Sequence, residues 1–393
     1  MRVPCPKPCR RASSVAVAAL LAAGCGWLPG AAAQEPLPQP EGAVAPPMYI
    51  GEPFPSGAVQ AGVPHAVAID MLPTWPRWFA GASGLIMTRT LESGAATMQP
   101  LGGVQLSTGD AGASWPGGVD LHLGRWFGAR QHHAVEFIYW GVYGIGATAT
   151  VASAPAASIQ AIPQAAAGVL VGDLPASTFL ANASAQSITR SDLVNDVEVN
   201  WIYALWDRPE FLPRDRAVSL MWLAGFRFFQ VEDVLTLATT AGTTSLGAAD
   251  LAVATNNNLY GGQVGAKFDW RFMPSVRLAV VPKFLVAGNA ITNTTTLSSA
   301  AGSGATFADG SPVNVHATLG VFSWLGSIDT GLAWDVTDHW TLSLGYRVVG
   351  VGNIAQADGQ WPAFIATPAS LSGVSAGSST IIHGGFAGFE GRY

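Results

Sequence analysis

Two pairs of residues in this 393-residue chain have the types and spacing for hydrolytic chemistry. Asp120 and His122 are separated by one residue, and so are Asp196 and Glu198. Alternate residues of a β-strand share one face, so each pair would present its side chains together. A histidine beside a carboxylate, facing a second carboxylate pair, could activate a water molecule for hydrolysis. This hydrolase ranks behind two other functions that the rest of the sequence suggests. It requires that the strands bring both pairs together near one rim of the structure that they form.

The chain after residue 76 alternates between apolar and polar residues with a period of two, which predicts β-strands. In the segment 260–272 the even positions are mostly aromatic or aliphatic, and most odd positions are polar or charged. Pro282 lacks a backbone N–H inside one predicted strand, which indicates a bulge or a misplaced boundary. The ten predicted strands cover 77–89, 118–128, 132–147, 192–206, 216–231, 256–272, 276–288, 316–336, 340–351 and 380–393.

The predicted connections alternate without exception between long and short. The long ones are 90–117, 148–191, 232–255, 289–315 and 352–379, and the short ones are 129–131, 207–215, 273–275 and 337–339. Transmembrane barrels have long external loops and short periplasmic turns. The sequence therefore predicts an all-β protein, a transmembrane antiparallel up-and-down β-barrel of about ten strands, with ten to twelve allowed.

The composition agrees with an apolar exterior that faces lipid. Only 11% of the residues are charged, whereas 49% are hydrophobic, and soluble domains carry about 25% charge. Trp334 and Trp340 flank a predicted tight turn on the apolar face, as the aromatic girdles of outer-membrane barrels do. We therefore expect lipid on the apolar face and a lumen on the other. A soluble barrel with aromatic corners is the alternative.

The N-terminus has the pattern of an export signal. A positive stretch, an apolar core and small residues before Ala33 predict a signal peptide over 1–33, although lipoprotein processing at Cys25 is an alternative. Cleavage after Ala33 would remove all three cysteines. A Pro-rich periplasmic tether is predicted over 34–76, and the barrel over 77–393.

Several segments together resemble the putative β-barrel porin 7 family of predicted outer-membrane proteins. They are "GGVDLHLGRWFG", "AVEFIYWGVYG", "AGFRFFQVED", "NNLYGGQVGAKFDW" and "DVTDHWTLSLGYRVVGVGNIAQADGQ". The resemblance spans about Trp78 to Tyr393, and the order and spacing of the segments carry it. It implies an outer-membrane β-barrel and brings no catalytic residues.

Charged residues on the face opposite the apolar one are predicted to line the lumen. In a wide barrel they would line a hydrated pore, whereas in a narrow one they would pair and plug it. Barrels of about eight strands fill with side chains, so ten strands predict a thin or occluded lumen. The predicted lumen-lining residues are Asp120, Asp196, Glu198, Arg227, Lys267, Asp269, Arg271, Arg277, Lys283, Asp329 and Arg347, with Asp335 beside them.

The function predicted from these features is a porin-like passive channel for small polar solutes, and not an enzyme. The alternative is a closed structural or adhesive barrel that displays its long loops. No cofactor or metal site is expected, because the histidines are scattered. The expected partners are outer-membrane lipid and the barrel-assembly machinery, which would read the C-terminal strand ending at Tyr393. Signal removal would lower the basic residues from 19 to 15 against 25 acidic ones, which excludes nucleic-acid binding. The predicted location is the outer membrane of a diderm bacterium.

Overall fold

The structure is a computed structural model. The predicted signal peptide over 1–33 and nearly all of the predicted tether over 34–76 lie outside the described residues. The chain divides into two compact units, Met1–Asp70 and Met71–Tyr393, and all described residues belong to the second. The described residues are 76–91, 94–99, 105–128, 131–153, 158–205, 217–242 and 247–393.

Ten long antiparallel strands form a closed barrel. Each strand pairs with the next along the chain, and the first pairs with the last, so the ring has no open edge. The prediction of an all-β up-and-down barrel is confirmed. The strands are β1 (Trp78–Arg89), β2 (Gly117–Phe127), β3 (His133–Ile145), β4 (Ala183–Ala204), β5 (Val218–Ala241), β6 (Ala248–Met273), β7 (Val276–Ser299), β8 (Asn314–Asp335), β9 (Trp340–Ile354) and β10 (Ser378–Arg392).

The outer surface of the barrel carries an apolar band between two aromatic rows. Trp334 and Trp340 are 51% and 44% exposed, and they lie beside the short turn between β8 and β9. On β6 the band runs from Trp270 in the lower row to Tyr260 in the upper row, both exposed. Ten residues at about 3.3 Å rise and about 40° tilt span about 25 Å, which matches the apolar band of membrane barrels.

Several predicted external loops are wrong, because strands continue through them. The predicted loop 232–255 is largely a hairpin, in which β5 runs to Ala241 and β6 starts at Ala248. There Leu235 and Leu237 point inward and are buried. The segment still alternates with a period of two, but its apolar residues point inward and its small or polar ones point outward. The sequence therefore does not predict a lipid-facing strand there. Two more predicted loops are partly strand for the same reason, over 183–191 and 289–299.

Beyond the barrel strands, the described external connections pack into a structure that we call the outer cap (94–99, 105–116, 146–153, 158–182, 300–313 and 355–377). A short strand, Thr148–Ala152, pairs with β4, and a single-turn helix covers Ser177–Leu180. Met98, Phe179 and Ile365 are buried in a common apolar core with inward residues of β4–β8. Among the described residues no helix is long and apolar enough to cross a membrane.

Pro282 lies inside β7, and the expected bulge or misplaced boundary is wrong. Pro282 pairs with Ile328 of β8 without a change of register. Toward β6, the pairs on either side of it, Phe268–Val280 and Gly265–Lys283, keep one register, while those between them are missing. The proline therefore lies at a local gap in the ladder, where its missing N–H removes no regular bond.

Candidate functional site

The candidate site is the barrel interior, where alternate residues of every strand point inward. At mid-height Arg227 Nε lies 2.6 Å from the Asp196 carboxylate, and Lys283 Nζ lies 2.8 Å from Glu198. Gln263 Nε2 also donates to Glu198 over 2.8 Å. These side chains are almost fully buried. Burial makes mutual pairing necessary, because an isolated charge in a low-dielectric interior is costly.

A second group lies around Arg347 of β9. Its guanidinium contacts Asp329 of β8 and Asp120 of β2, each over 2.8 Å. It also lies 5.2 Å from the ring centre of Trp140. This one side chain therefore links β8 and β9 to β2, which lies beyond β10 and β1 in the ring.

A third group lies near the end with short connections. Arg277 contacts Asp335 over 2.7 Å and Asp269 over 3.2 Å, and Arg392 contacts Asp335 over 3.2 Å. Arg271 stands opposite Arg277 in the β6–β7 ladder and is half-buried. The lumen at this end is thus lined by alternating positive and negative groups that largely neutralise one another.

Sequence reasoning missed two of the acidic residues that line the lumen. Glu136 accepts from Lys267 Nζ over 2.8 Å, and Glu390 contacts Arg392 over 3.2 Å. Both acids could have been found from alternation alone. Each immediately precedes or follows an outward aromatic residue on its strand, and such neighbours point to opposite faces.

His122 does not take part in the predicted hydrolytic arrangement. Its Nε2 lies 3.2 Å from Glu390 Oε2 of β10, so the imidazole reaches across β1. It passes over Gly81, where an added Cβ would lie 2.4 Å from His122 Cε1. Glycine at this position is therefore required by the close approach of the ring.

The carboxylates of the hydrolase hypothesis are also kept apart. Asp120 is held by Arg347, and Trp140 stands between Asp120 and Asp196 in the cross-strand ladders. The expected position of Asp196 near the outer rim is wrong. The strand β4 already begins at Ala183, so Asp196 lies deep within it and away from the rim. The four residues do not form one site.

Above the charged groups lies a cluster of buried apolar side chains, which we call the apolar layer. It contains inward side chains from every barrel strand except β2, each at most 8% exposed. Trp140 and Phe229 are its largest members, with ring centres 5.9 Å apart. These inward side chains meet in one buried cluster, so the interior at this level is apolar. The members are Leu85, Met87, Ile138, Trp140, Val142, Ile145, Val194, Phe229, Val231, Leu259, Leu285, Ala287, Leu325, Val349, Val351, Ile354 and Ile382.

A buried ionic group, which we call the arginine cluster, lies between the apolar layer and the outer cap. Arg89 contacts Asp192 over 2.7 Å and Asp233 over 2.9 Å. Arg190 contacts Asp233 over 2.8 Å and Asp358 over 2.7 Å. Two arginines and three aspartates thus share one site that is almost completely shielded from solvent.

The arginine cluster and a neighbouring amide fasten the outer cap to the strands. Asp233 Oδ2 accepts from the backbone N–H of Ala357 over 3.1 Å. Asn257 accepts from the Ala355 N–H over 2.8 Å and donates to its carbonyl over 2.7 Å. Arg190 donates to the Ala111 carbonyl over 3.2 Å. The cap is therefore held by directional bonds to side chains of the barrel.

Two cavities lie on the other side of the apolar layer, toward the short connections. Their volumes are about 160 and 200 Å³, and Lys267 and Glu390 line both. Each has room for several water molecules, since a water occupies about 30 Å³. Asp120, Glu136 and Arg347 also line the larger one. Within the described ranges no cluster of His, Cys, Asp and Glu could hold a metal ion.

These features define an outer-membrane β-barrel of a Gram-negative bacterium. The model of the family described as putative beta barrel porin-7 matches residues 81–377. The chain belongs to that family, and the resemblance seen in the sequence is confirmed. Comparison with curated protein sequences finds no match.

Three solved structures illustrate the likeness at the level of the chain path. The outer membrane protease OmpT of Escherichia coli has a TM-score of 0.44 at 10% identity, covering 81% of this chain and 98% of its own. The toluene transporter TbuX of Ralstonia pickettii has a TM-score of 0.28 at 11% identity, with 82% and 90% covered. A Pseudomonas aeruginosa FadL homologue has a TM-score of 0.25 at 10% identity, with 81% and 90% covered. Likeness at this level carries no argument about activity.

Proposed function

We propose that this porin-like barrel is a closed outer-membrane anchor that displays its outer cap at the cell surface. The apolar layer carries this proposal. Its side chains come from the barrel strands themselves, so it is part of the wall and not a removable plug. A hydrated ion crossing it would have to shed water against hydrocarbon, and such constrictions block conduction by dewetting.

The charged groups below the apolar layer support the same proposal. Arg227, Lys283 and Arg347 each contact carboxylates within 2.8 Å. A passing polar solute would have to compete with those pairs, and breaking a buried pair costs about 3–5 kcal/mol. The lumen is thus charged but self-satisfied.

The outer cap supports the display part of the proposal. Its core is apolar and buried, and it is fastened to the strands through Arg190 and Asn257. A cap held in this way presents a fixed surface rather than a set of independent loops. Exposed turns such as Asp309–Ser311 lie on that surface.

Conductance in planar bilayers tests the closed lumen. We expect the purified full chain, shown to be folded by a heat-modifiable shift on gels, to leave the membrane electrically silent. Discrete, salt-dependent current steps would overturn the proposal and support the second candidate, a passive channel for small polar solutes. The porin description of the family and the two charged cavities favour that candidate.

Epitope accessibility on intact cells tests the display role. A tag inserted after Gly310, in an exposed turn of the outer cap, should bind antibody without permeabilisation. The matched control is a tag between Pro274 and Ser275 in the turn between β6 and β7, which should bind only after permeabilisation. The reverse pattern would contradict the display role.

We also propose that the chain has no catalytic role. His122 contacts Glu390, which also contacts Arg392, while Asp196 and Glu198 are paired with Arg227 and Lys283, so the histidine and the second carboxylate pair do not share a site. Hydrolysis of model ester or peptide substrates by the purified protein, lost in His122→Ala, would contradict this.

A further inference from the structure

One cation on the lipid-facing surface has a different environment from those in the lumen. Arg125 lies near the end of β2, and its guanidinium carbon is 5.0 Å from the ring centre of Trp78 and 5.4 Å from that of Phe127. Trp78 of β1 stands directly opposite Arg125 in the ladder. The guanidinium therefore lies against two aromatic rings on the outside of the barrel.

Arg125 forms no ion pair with any of the described residues. Within the described part of the chain its guanidinium contacts only the rings of Trp78 and Phe127. The lumenal cations Arg227, Lys283 and Arg347 instead all contact carboxylates. Arg125 is exposed. A cation stacked on aromatic rings keeps its N–H donors free at the edge of the plane, where they suit the oxygens of a phosphate.

The depth of Arg125 indicates where such a phosphate would come from. Trp78 and Phe127 are 45% and 41% exposed and lie at the end with short connections, in the lower aromatic row. Aromatic rows lie at the level of the lipid headgroups, and the short turns of outer-membrane barrels face the periplasm. Leu121 and Leu123, also exposed, continue the same outward face toward the membrane centre, where acyl chains would lie.

We infer that Trp78, Arg125 and Phe127 form a binding site for the phosphate of an anionic phospholipid in the periplasmic leaflet. The rings fix the guanidinium and shield one side of it from water, and the exposed leucines contact the lipid tail. Zwitterionic phospholipids offer the same phosphate with a compensating cation, so the site prefers a headgroup of net negative charge. The inference requires only that the barrel spans the membrane, and it holds whether or not the lumen conducts.

Native mass spectrometry of the full chain in detergent micelles tests the site. Phosphatidylglycerol and phosphatidylcholine with identical acyl chains are added in turn. We expect phosphatidylglycerol to bind preferentially, and Arg125→Gln to weaken its binding about fivefold, the effect of one interfacial arginine. Arg125→Lys should lie between the two, because it keeps the charge but loses the planar stacking.

Aromatic variants provide the matched control. Trp78→Leu should weaken phosphatidylglycerol binding, because it removes one of the rings that hold Arg125. Trp222→Leu removes an exposed tryptophan of β5, on another part of the ring, and should leave that binding unchanged. The heat-modifiable gel shift verifies that each variant is folded.

Three results would overturn the inference. The first is equal binding of the two lipids by the unaltered protein, and the second is unchanged phosphatidylglycerol binding in Arg125→Gln. The third is full competition by inorganic phosphate, which would make the site one for free anions. A failure here leaves the silent bilayer expected for the closed barrel untouched, so the two proposals can fail separately.

Discussion

The membrane half of the barrel and its outer extension, which comprises the strand segments 183–191, 232–241, 248–255 and 289–299, bury opposite faces of the same strands. On β5, Phe226 points outward and is 53% exposed, while its neighbour Arg227 points inward and is buried. Farther along the same strand, Leu235 points inward and is buried, while Thr236 points outward. The alternation keeps its register through the strand, and only the polarity of the two faces is exchanged.

The difference shows that the surroundings, and not the strand, decide which face is apolar. Lipid covers the outside of the membrane half, so its inside can be filled by paired charges. Water surrounds the extension, which therefore needs an apolar core, and the outer cap supplies the other side of that core. The arginine cluster lies where the two arrangements meet, next to the apolar layer.

The largest expected loss of stability comes from a substitution in the arginine cluster. Asp233→Asn removes the charge that Arg89 and Arg190 share, and leaving buried cations without it costs about 3–5 kcal/mol. The measurement is the free energy of unfolding in urea, in lipid vesicles. Glu232→Gln, at the adjacent outward and half-buried position, is the control and should change stability by less than about 0.5 kcal/mol. Equal effects of the two substitutions would show that the cluster does not hold the extension.

The next largest loss of stability is expected where an arginine is placed on the lipid-facing surface, and it tests whether the two faces exchange polarity along the strand. Ala224→Arg places a charge on the lipid-facing surface near the middle of the apolar band and should cost about 2–4 kcal/mol, whereas Thr236→Arg, outward on the same strand above the band, should cost about 0–1 kcal/mol. Both are measured by folding into vesicles across a urea series. Similar costs at the two positions would place the extension inside the membrane as well.

The same contrast explains how much of the fold could be predicted from the sequence. All ten strands were predicted, because segments such as 260–272 show aromatic residues on one face. The strand extensions over 232–241 and 248–255 were not, since threonines and alanines face outward there and the segment resembles a polar loop. The position of Pro282 was anticipated, but its accommodation by a local gap depends on the neighbouring ladder.

The candidate site was less predictable, because pairing depends on the closure of the ring. Alternation indicates which residues point inward, but it cannot show that Arg347 reaches Asp120 of β2, a strand far from it in sequence. Glu390 could have been assigned to the lumen from its neighbour Phe389, yet its contact with His122 passes across β1. The contribution of Asp358 from an external connection to the arginine cluster had no sequence signal at all.

A smaller effect is expected at the glycine beneath His122. Gly81→Ala brings a Cβ to 2.4 Å from the imidazole and 2.6 Å from the Phe389 carbonyl oxygen, which should cost about 1–3 kcal/mol. Gly84→Ala is the control on the same strand, where an added Cβ meets nothing within 4 Å. Unfolding in urea measures both. If both variants unfold alike, the ring does not cross β1 as the structure has it.

The smallest effect distinguishes ion pairs of the membrane half from those of the extension. Lys267 and Glu136 line a cavity, and the lysine side chain is 19% exposed, so a double-mutant cycle with Lys267→Met and Glu136→Gln should give a coupling of about 1 kcal/mol. The coupling should fall with added salt, because water in the cavity admits counter-ions. The matched cycle uses Arg190→Met and Asp358→Asn in the arginine cluster, whose arginine is fully shielded, and its coupling should not depend on salt. A salt-independent coupling for Lys267 and Glu136 would mean that the charged groups of the membrane half are as closed to solvent as the extension is. The two regions would then differ only in the face that they present outward.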